Sequence, residues 1–295
     1  MSFDLERIRN STCRVTKFLR KNSKRPNSKA VHNLRTSTRT LETAISTLRL
    51  DSKRKVRELL HALSDVRKRA GKVRDMDVLT ADVLTIHDAD EQDCIVQLLE
   101  YLGAQRSRYA KRLRRTIDET GDQLRRNLKR TTTRLERHLE RSETGGPRDV
   151  EAVPTAMART LALSTELKMP TRLNKKTLHP YRLKVKELRD VLQLSQRTGD
   201  KGFFEQLGEV KDAIGDWHDW EELIVVANRL DHGPACKLIK AFRQNSDTKY
   251  EHALRITERF RSKYLEAGTH KRKTGTDKIA LLPAPVFRSA SAIAQ

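Results

Sequence analysis

VHNLRTSTRTLETAI at residues 31–45 and LHPYRLKVKELRDVL at residues 178–192 can be set one above the other without a gap. His32 then meets His179, Arg35 meets Arg182, Arg39 meets Lys186 and Leu41 meets Leu188, each pair 147 positions apart. A second match follows in the same order. GKVRDMDVL (71–79) lies over GDWHDWEEL (215–223) at a separation of 144, so that Arg74 meets His218, Asp75 meets Asp219 and Asp77 meets Glu221. At that separation Arg67 falls over Lys211. Two matches in one order at nearly equal offsets point to an internal duplication. The prediction is an all-α chain of two helical-bundle lobes related by a pseudo-twofold axis, each supplying its own basic cluster.

Both copies read as amphipathic helices. At about 100° of rotation per residue, Arg35 and Arg39 fall within roughly 60° of His32, while Leu34, Leu41, Ile45 and Leu48 gather on the opposite face. In the second copy His179, Arg182, Lys186 and Arg189 cluster, with Leu188 and Leu192 opposite. One stripe is core and the other is concentrated positive charge. An exposed, solvated helix face would look the same; the histidine that heads each stripe is the feature such a face does not need.

Working outward, helical periodicity predicts helices at about 1–22, 29–50, 52–72 and 91–141, with Gly103 and Gly121 as bends in the last. NSKRPNS (22–28) breaks the first two. SETGGPRDVEAVP (142–154) is the clearest internal boundary, placing lobe one at about 1–145 and lobe two at about 150–265. Helices are predicted again at about 153–168, 179–197, 202–217, 220–230, 234–245 and 247–265. Residues 268–295, which include THKRKTGTDK, lack amphipathic period and read as a mobile basic tail. No segment sustains period-two alternation, so a sheet is not expected.

Composition narrows the partner. Of 295 residues, 61 are Lys or Arg against 39 Asp or Glu, a formal charge of +22 that calls for an anionic partner. The longest plain apolar run, LIVVA at 223–227, is too short for membrane insertion. MSFDLERIRN carries two acids and two arginines where a signal peptide needs an apolar stretch. Cys13, Cys94 and Cys236 lie far apart with no CxxC pair, the pattern of reduced thiols in a cytoplasmic protein.

The second helix of each lobe adds cations to the inner surface. Arg67 and Arg74 project within about 20° of the apolar Val56, and Lys211 and His218 sit on the shoulder of the face made by Phe203, Leu207, Val210 and Ile214. Long basic chains on a core-facing side snorkel, pair with an acid or reach into a lined cavity. For Arg74 and His218, pairing with Asp75 and Asp219 and contact with a ligand are equal alternatives. The candidate polyanion-binding set is thus His32, Arg35, Arg39, Arg67 and Arg74 with His179, Arg182, Lys186, Arg189, Lys211 and His218. Arginine forks suit phosphate oxygens, lysine adds point charge, and histidine near its ordinary pKa gains a proton beside an anion as pH falls. Pro180, read as a first helical residue, would leave free backbone N–H groups beside His179.

The paired HxxRxxx(R/K)-x-L and RD-x-D-V elements, with VHNLRTSTRTL, VRDMDVL and LHPYRLKVKELR as the strongest matches, resemble the CHAD domain (conserved histidine α-helical domain) over roughly residues 1–265. The resemblance implies two four-helix-bundle-like lobes around a basic central groove that binds inorganic polyphosphate. It also implies association with polyphosphate granules and a binding module rather than an enzyme, with no cofactor. The implied ligand residues are those just named. Two departures stand out: Glu42 opposite Arg189, and HDWEEL where the other lobe has RDMDVL. An ExExK strand of the CYTH enzyme domain often joined to this family is missing, so the chain resembles a CHAD domain standing alone.

Two other readings compete. Bulk charge favours nucleic acid, and a basic face at 106–141 (Arg106, Arg108, Lys111, Arg112, Arg114, Arg115, Arg125, Arg126, Lys129, Arg130) offers secondary RNA binding, although there are no aromatic stacking platforms. A phosphoanhydride enzyme would need metal ligands from Asp75, Asp77, Asp219 and Glu221. Residues two apart on a helix do not face the same way, and no Walker A loop, GxSxG or HExxH is present.

Overall fold

The computed structural model describes residues 4–21, 24–86, 91–143, 152–195, 201–230 and 237–266. The tail expected at 268–295, Cys236, residues 22–23 of the first breaker and residues 144–151 of the predicted boundary lie outside these. Among the described residues the secondary structure is eight α-helices and one short 3₁₀ turn: α1 (Leu5–Lys21), α2 (Ser28–Thr47), the turn Leu50–Ser52, α3 (Arg54–Val83), α4 (Gln92–Glu143), α5 (Ala152–Glu166), α6 (Lys175–Leu194), α7 (Lys201–Ala227) and α8 (Leu238–Tyr264).

The second four helices repeat the order of the first. α1 and α5 have 17 and 15 residues, α2 and α6 have 20 each, and α3 and α7 have 30 and 27. Only the fourth pair differs strongly, with 52 residues in α4 and 27 in α8. Local chemistry sets the starts of the two motif helices. The Asn27 side chain accepts from the Ala30 N–H at 2.7 Å, and Asn174 forms a capping box with Thr177.

Several predicted breaks are absent. α3 runs through GKVRDMDVL to Val83 instead of stopping near 72, because Val73, Met76, Leu79 and Val83 continue its buried stripe. α7 joins the segments predicted at 202–217 and 220–230, and α8 joins 234–245 to 247–265. Gly103 and Gly121 sit inside an uninterrupted α4. A glycine costs a helix about 1 kcal/mol relative to alanine, and burial of a long apolar stripe offsets this readily.

Three apolar clusters organise the packing. One gathers α1, α2, the first part of α3 and the later part of α4 around Ile8, Val31, Leu41, Leu59, Leu63 and Leu128. A second does the same in α5–α8 around Leu163, Tyr181, Leu188, Leu207, Ile214 and Phe260. The third belongs to neither repeat alone: Leu79 and Val83 of α3, Leu98 and Leu102 of α4, Leu223 of α7 and Phe242 of α8 interlock across the hairpins. α2 also packs on α6 and α3 on α7, so the motif helices of the two lobes face each other at the centre.

Phe242 is fully buried, with its ring 5.9 Å from that of Trp220. Phe242→Ala is expected to cost about 3–5 kcal/mol in a urea unfolding experiment, whereas Leu161→Ala, at a side chain 69% exposed, is expected to change stability by less than about 0.5 kcal/mol.

Candidate polyanion site

The site is built on backbone that two glycines leave bare. Arg35 of α2 extends over α3, where Nη1 donates to the Gly71 carbonyl at 3.5 Å and to Asp75 at 3.1 Å. Arg182 of α6 makes the same reach over α7, with Nε donating to the Lys211 carbonyl at 3.1 Å. A Cβ placed on Gly215 would stand 2.7 Å from Arg182 Nη2 and 3.2 Å from Cζ. At Gly71 the nearest approach is a looser 3.9 Å to Arg35 Cζ. Gly215 therefore lets Arg182 lie flat against the facing helix, whereas at Gly71 a Cβ would make only ordinary van der Waals contact with Arg35.

The histidines complete this centre. His179 and His218 stack with ring centroids 4.1 Å apart, joining the first and second motifs of lobe two. Burial pushes His218 down to about 4, helped by His179 and Arg182. Burial and then Arg182 lower His179. His32 is lowered by partial burial and then by the positive charges of Arg74, Arg35 and Lys211. Lys211 comes from the other lobe, so its influence on His32 places the two basic clusters side by side. All three rings are depressed below the ordinary histidine value, contrary to the expectation of histidines titrating near it.

Carboxylates thread through the cations. Arg39 faces Asp190 of α6 at 4.0 Å, across the two lobes. Burial raises Asp190 against the pull of Arg39 and Arg7. Asp219 is raised to about 7, first by burial, against Arg182 and with Asp82, Asp75 and Asp216 adding repulsion. Asp82 is raised to about 6 by burial and by Asp216. The α3–α7 seam thus holds two carboxylates raised to about 6 and about 7, while the three rings are lowered from the ordinary histidine value.

All eleven predicted residues, His32, Arg35, Arg39, Arg67, Arg74, His179, Arg182, Lys186, Arg189, Lys211 and His218, lie on α2, α3, α6 and α7, the helices that pack together at the centre. Two of them, Arg67 and Arg189, are held by neighbouring side chains. Arg67 donates to Glu42 at 2.7 Å, and Arg189 stacks on the Phe204 ring at 4.7 Å, against Gly208. The pairing anticipated for Arg74 and His218 does not form. Arg74 donates to Ser28 Oγ at 2.7 Å, Asp75 takes Arg35, and His218 takes His179. Arg106 leaves the predicted α4 face and holds Asp77 and the Pro26 carbonyl.

The helical N–H groups expected beside His179 are also absent. α6 begins at Lys175, so Pro180 lies inside it, and the Asn174 side chain takes the N–H groups of Lys176 and Thr177. The four acids stand mid-helix: Asp77 binds Arg106 of α4 and Glu221 accepts from Ser246 of α8, each tying a hairpin together. Among the described residues no group of three or more His, Cys, Asp or Glu is placed to hold a metal. A cavity of about 440 Å³ between α2, α5 and α6 is lined by Glu42, Ser46, Arg49, Arg159 and Glu187. Arg159 already pairs with Glu187 there.

Sequence reasoning missed Asp190, Asp82 and Asp216, which have no counterpart in the repeat. It also missed the role of the glycines, although Gly71 and Gly215 open the aligned second motifs.

The CHAD domain family profile matches residues 15–227, most of the chain, and the protein belongs to that family. The crystal structure of the CHAD domain from the plant Ricinus communis is similar at a TM-score of 0.54 and 17% identity, covering 88% of this chain and 86% of that one. PptA from Streptomyces chartreusis is similar at a TM-score of 0.56 and 15% identity, covering 88% of this chain and 96% of that one. At these identities the likeness concerns the fold. Among curated proteins no relative matches the sequence.

Two outcomes test the site. Gly215→Ala is expected to leave thermal stability unchanged or up to about 1 kcal/mol higher, since alanine favours the helix. By displacing Arg182 it should weaken polyanion binding at least tenfold in a titration, whereas Gly71→Ala should bind nearly as wild type. Polyanion affinity is also expected to rise as pH falls through about 7, where Asp219 loses its negative charge. Asp219→Asn should flatten the upper part of that profile. A raised carboxylate pKa costs stability as pH climbs from the unfolded value to the folded one, so the same substitution should raise the melting temperature above pH 7.

Proposed function

We propose that this protein binds inorganic polyphosphate, without catalysis, on the basic surface shared by α2, α3, α6 and α7. The observation that carries the reading is the pair of arginines, Arg35 and Arg182, held at repeated positions by close approach to a glycine-bared helix. Around them stand cations from both lobes. A linear phosphate polymer presents one charge per unit along its length, and cations arrayed across two lobes match that repeat better than a small anion. Arginines already fixed by backbone carbonyls and carboxylates lose little side-chain freedom when a phosphate arrives.

The carboxylates give the surface selectivity. Asp75, Asp190 and Asp219 keep the cations apart and in place, and a ligand must outcompete them. A dense flexible polyanion does this more readily than a rigid duplex, which cannot enter between packed helices. Cytoplasmic action at polyphosphate granules follows from the family's association with them; among the described residues no helix is long and apolar enough to cross a membrane.

Titration with polyphosphate of defined length is expected to show micromolar or tighter binding that weakens steeply with salt, because many cations are neutralised together. Replacing Arg35, Arg39, Arg182 and Lys186 together with Ala should reduce affinity at least about 100-fold, about 2.7 kcal/mol, with helicity by circular dichroism unchanged. If duplex nucleic acid of matched charge competes for this surface as well as polyphosphate at physiological salt, the reading is wrong.

A further inference from the structure

A long row of exposed cations lies outside the proposed polyphosphate surface. Around the centre, Arg35, Arg39 and Arg67 each face a carboxylate. On α4 the situation reverses. Arg108, Lys111 and Arg115, then Arg126, Arg130 and Arg134, are all exposed. At 100° per residue the six fall within a sector of about 140°, opposite the buried Ala110, Leu113, Ile117, Leu124 and Leu128. Among the described residues none of the six has a carboxylate within salt-bridge distance. The acids nearby are taken by half-buried arginines of the same helix, Asp118 by Arg114 and Asp122 by Arg125.

We propose that this outer face of α4 is a second interaction surface, one that takes double-stranded nucleic acid through its phosphate backbone without reading sequence. The face is about 40 Å long at 1.5 Å per residue. It carries two cation clusters with a gap of about 16 Å between Arg115 and Arg126, occupied by Glu119 and Asp122. A flexible phosphate chain laid along the ridge would place charge opposite those acids and would find no second wall to hold it. A duplex is pre-ordered. It presents two phosphate rows flanking a groove about 12 Å wide, so the clusters meet phosphates while the acids sit over the groove.

Single strands fit less well. Their sequence-tolerant binding needs exposed aromatic platforms, and the aromatic nearest the ridge, Tyr109, is partly covered and lies under Arg112. Five of the six cations are arginine, whose fork suits phosphate oxygens.

The test uses the full chain and a random-sequence DNA duplex of about 20 base pairs, longer than the ridge at roughly 3.4 Å per step. Fluorescence anisotropy is measured over a salt range of about 50–200 mM, where the slope of log K against log salt is about −0.9 per phosphate neutralised. The wild type is expected to bind with a slope near −5. Replacing Arg108, Arg115, Arg126 and Arg130 with Gln should weaken binding at least 30-fold and reduce the slope by about 3–4. The same variant should keep polyphosphate affinity within about twofold. A groove variant, Arg35→Ala with Arg182→Ala, should bind the duplex as wild type does. No duplex binding by the wild type at the lowest salt overturns the proposal, as does equal loss of duplex binding in the groove variant. A ridge variant that loses polyphosphate as strongly as duplex also overturns it and gives the ridge to polyphosphate. Circular dichroism and thermal melting establish that each variant is folded.

Discussion

Arg182 lies where a side chain on residue 215 would otherwise stand. A Cβ there would come within 2.7 Å of the guanidinium, so α7 must expose bare backbone at that position for the arginine to reach the Lys211 carbonyl. Arg35 over Gly71 is under no such constraint, since a Cβ there would stand 3.9 Å from Cζ, an ordinary van der Waals contact. The close approach of α6 to α7, and with it the position of Arg182 in the proposed polyphosphate surface, thus follows from one missing methyl group.

The electrostatics of the two basic surfaces differ in kind. At the centre, desolvation holds the histidines below and several carboxylates above their ordinary values. Charge is expressed there only when a partner or a proton shifts the balance. Along α4 the cations are exposed to water, which screens them. The first arrangement suits a ligand that displaces carboxylates and is enclosed between lobes. The second suits long-range attraction, steep in salt and indifferent to sequence.

The duplication is imperfect in a way that bears on binding. Glu42 of α2 occupies the place of Arg189 in α6, and it draws Arg67 into a half-buried ion pair. Arg189 instead lies over Phe204 and against Gly208. Lobe one is therefore partly neutralised at this end while lobe two keeps its charge. The two halves present unequal walls to any ligand that spans them.

The sequence by itself determined the helical class and the internal repeat, because each depends on local periodicity or on a motif that recurs at fixed spacing. α3 continues past its predicted end beside Gly71, and α7 and α8 continue through the breaks predicted at 218–219 and 246, because buried side chains at these points, not propensity, decide whether the helix goes on. Tertiary structure alone decided that Arg67 belongs to Glu42, that Arg74 turns to Ser28 rather than Asp75, and that His218 stacks on His179. It also brought Asp190 of one lobe to Arg39 of the other. These pairings join residues 25 to 151 positions apart, and each long side chain had several partners within reach of its helix face. Which one it took was set by how closely the helices pack, a distance that no stretch of the chain encodes locally.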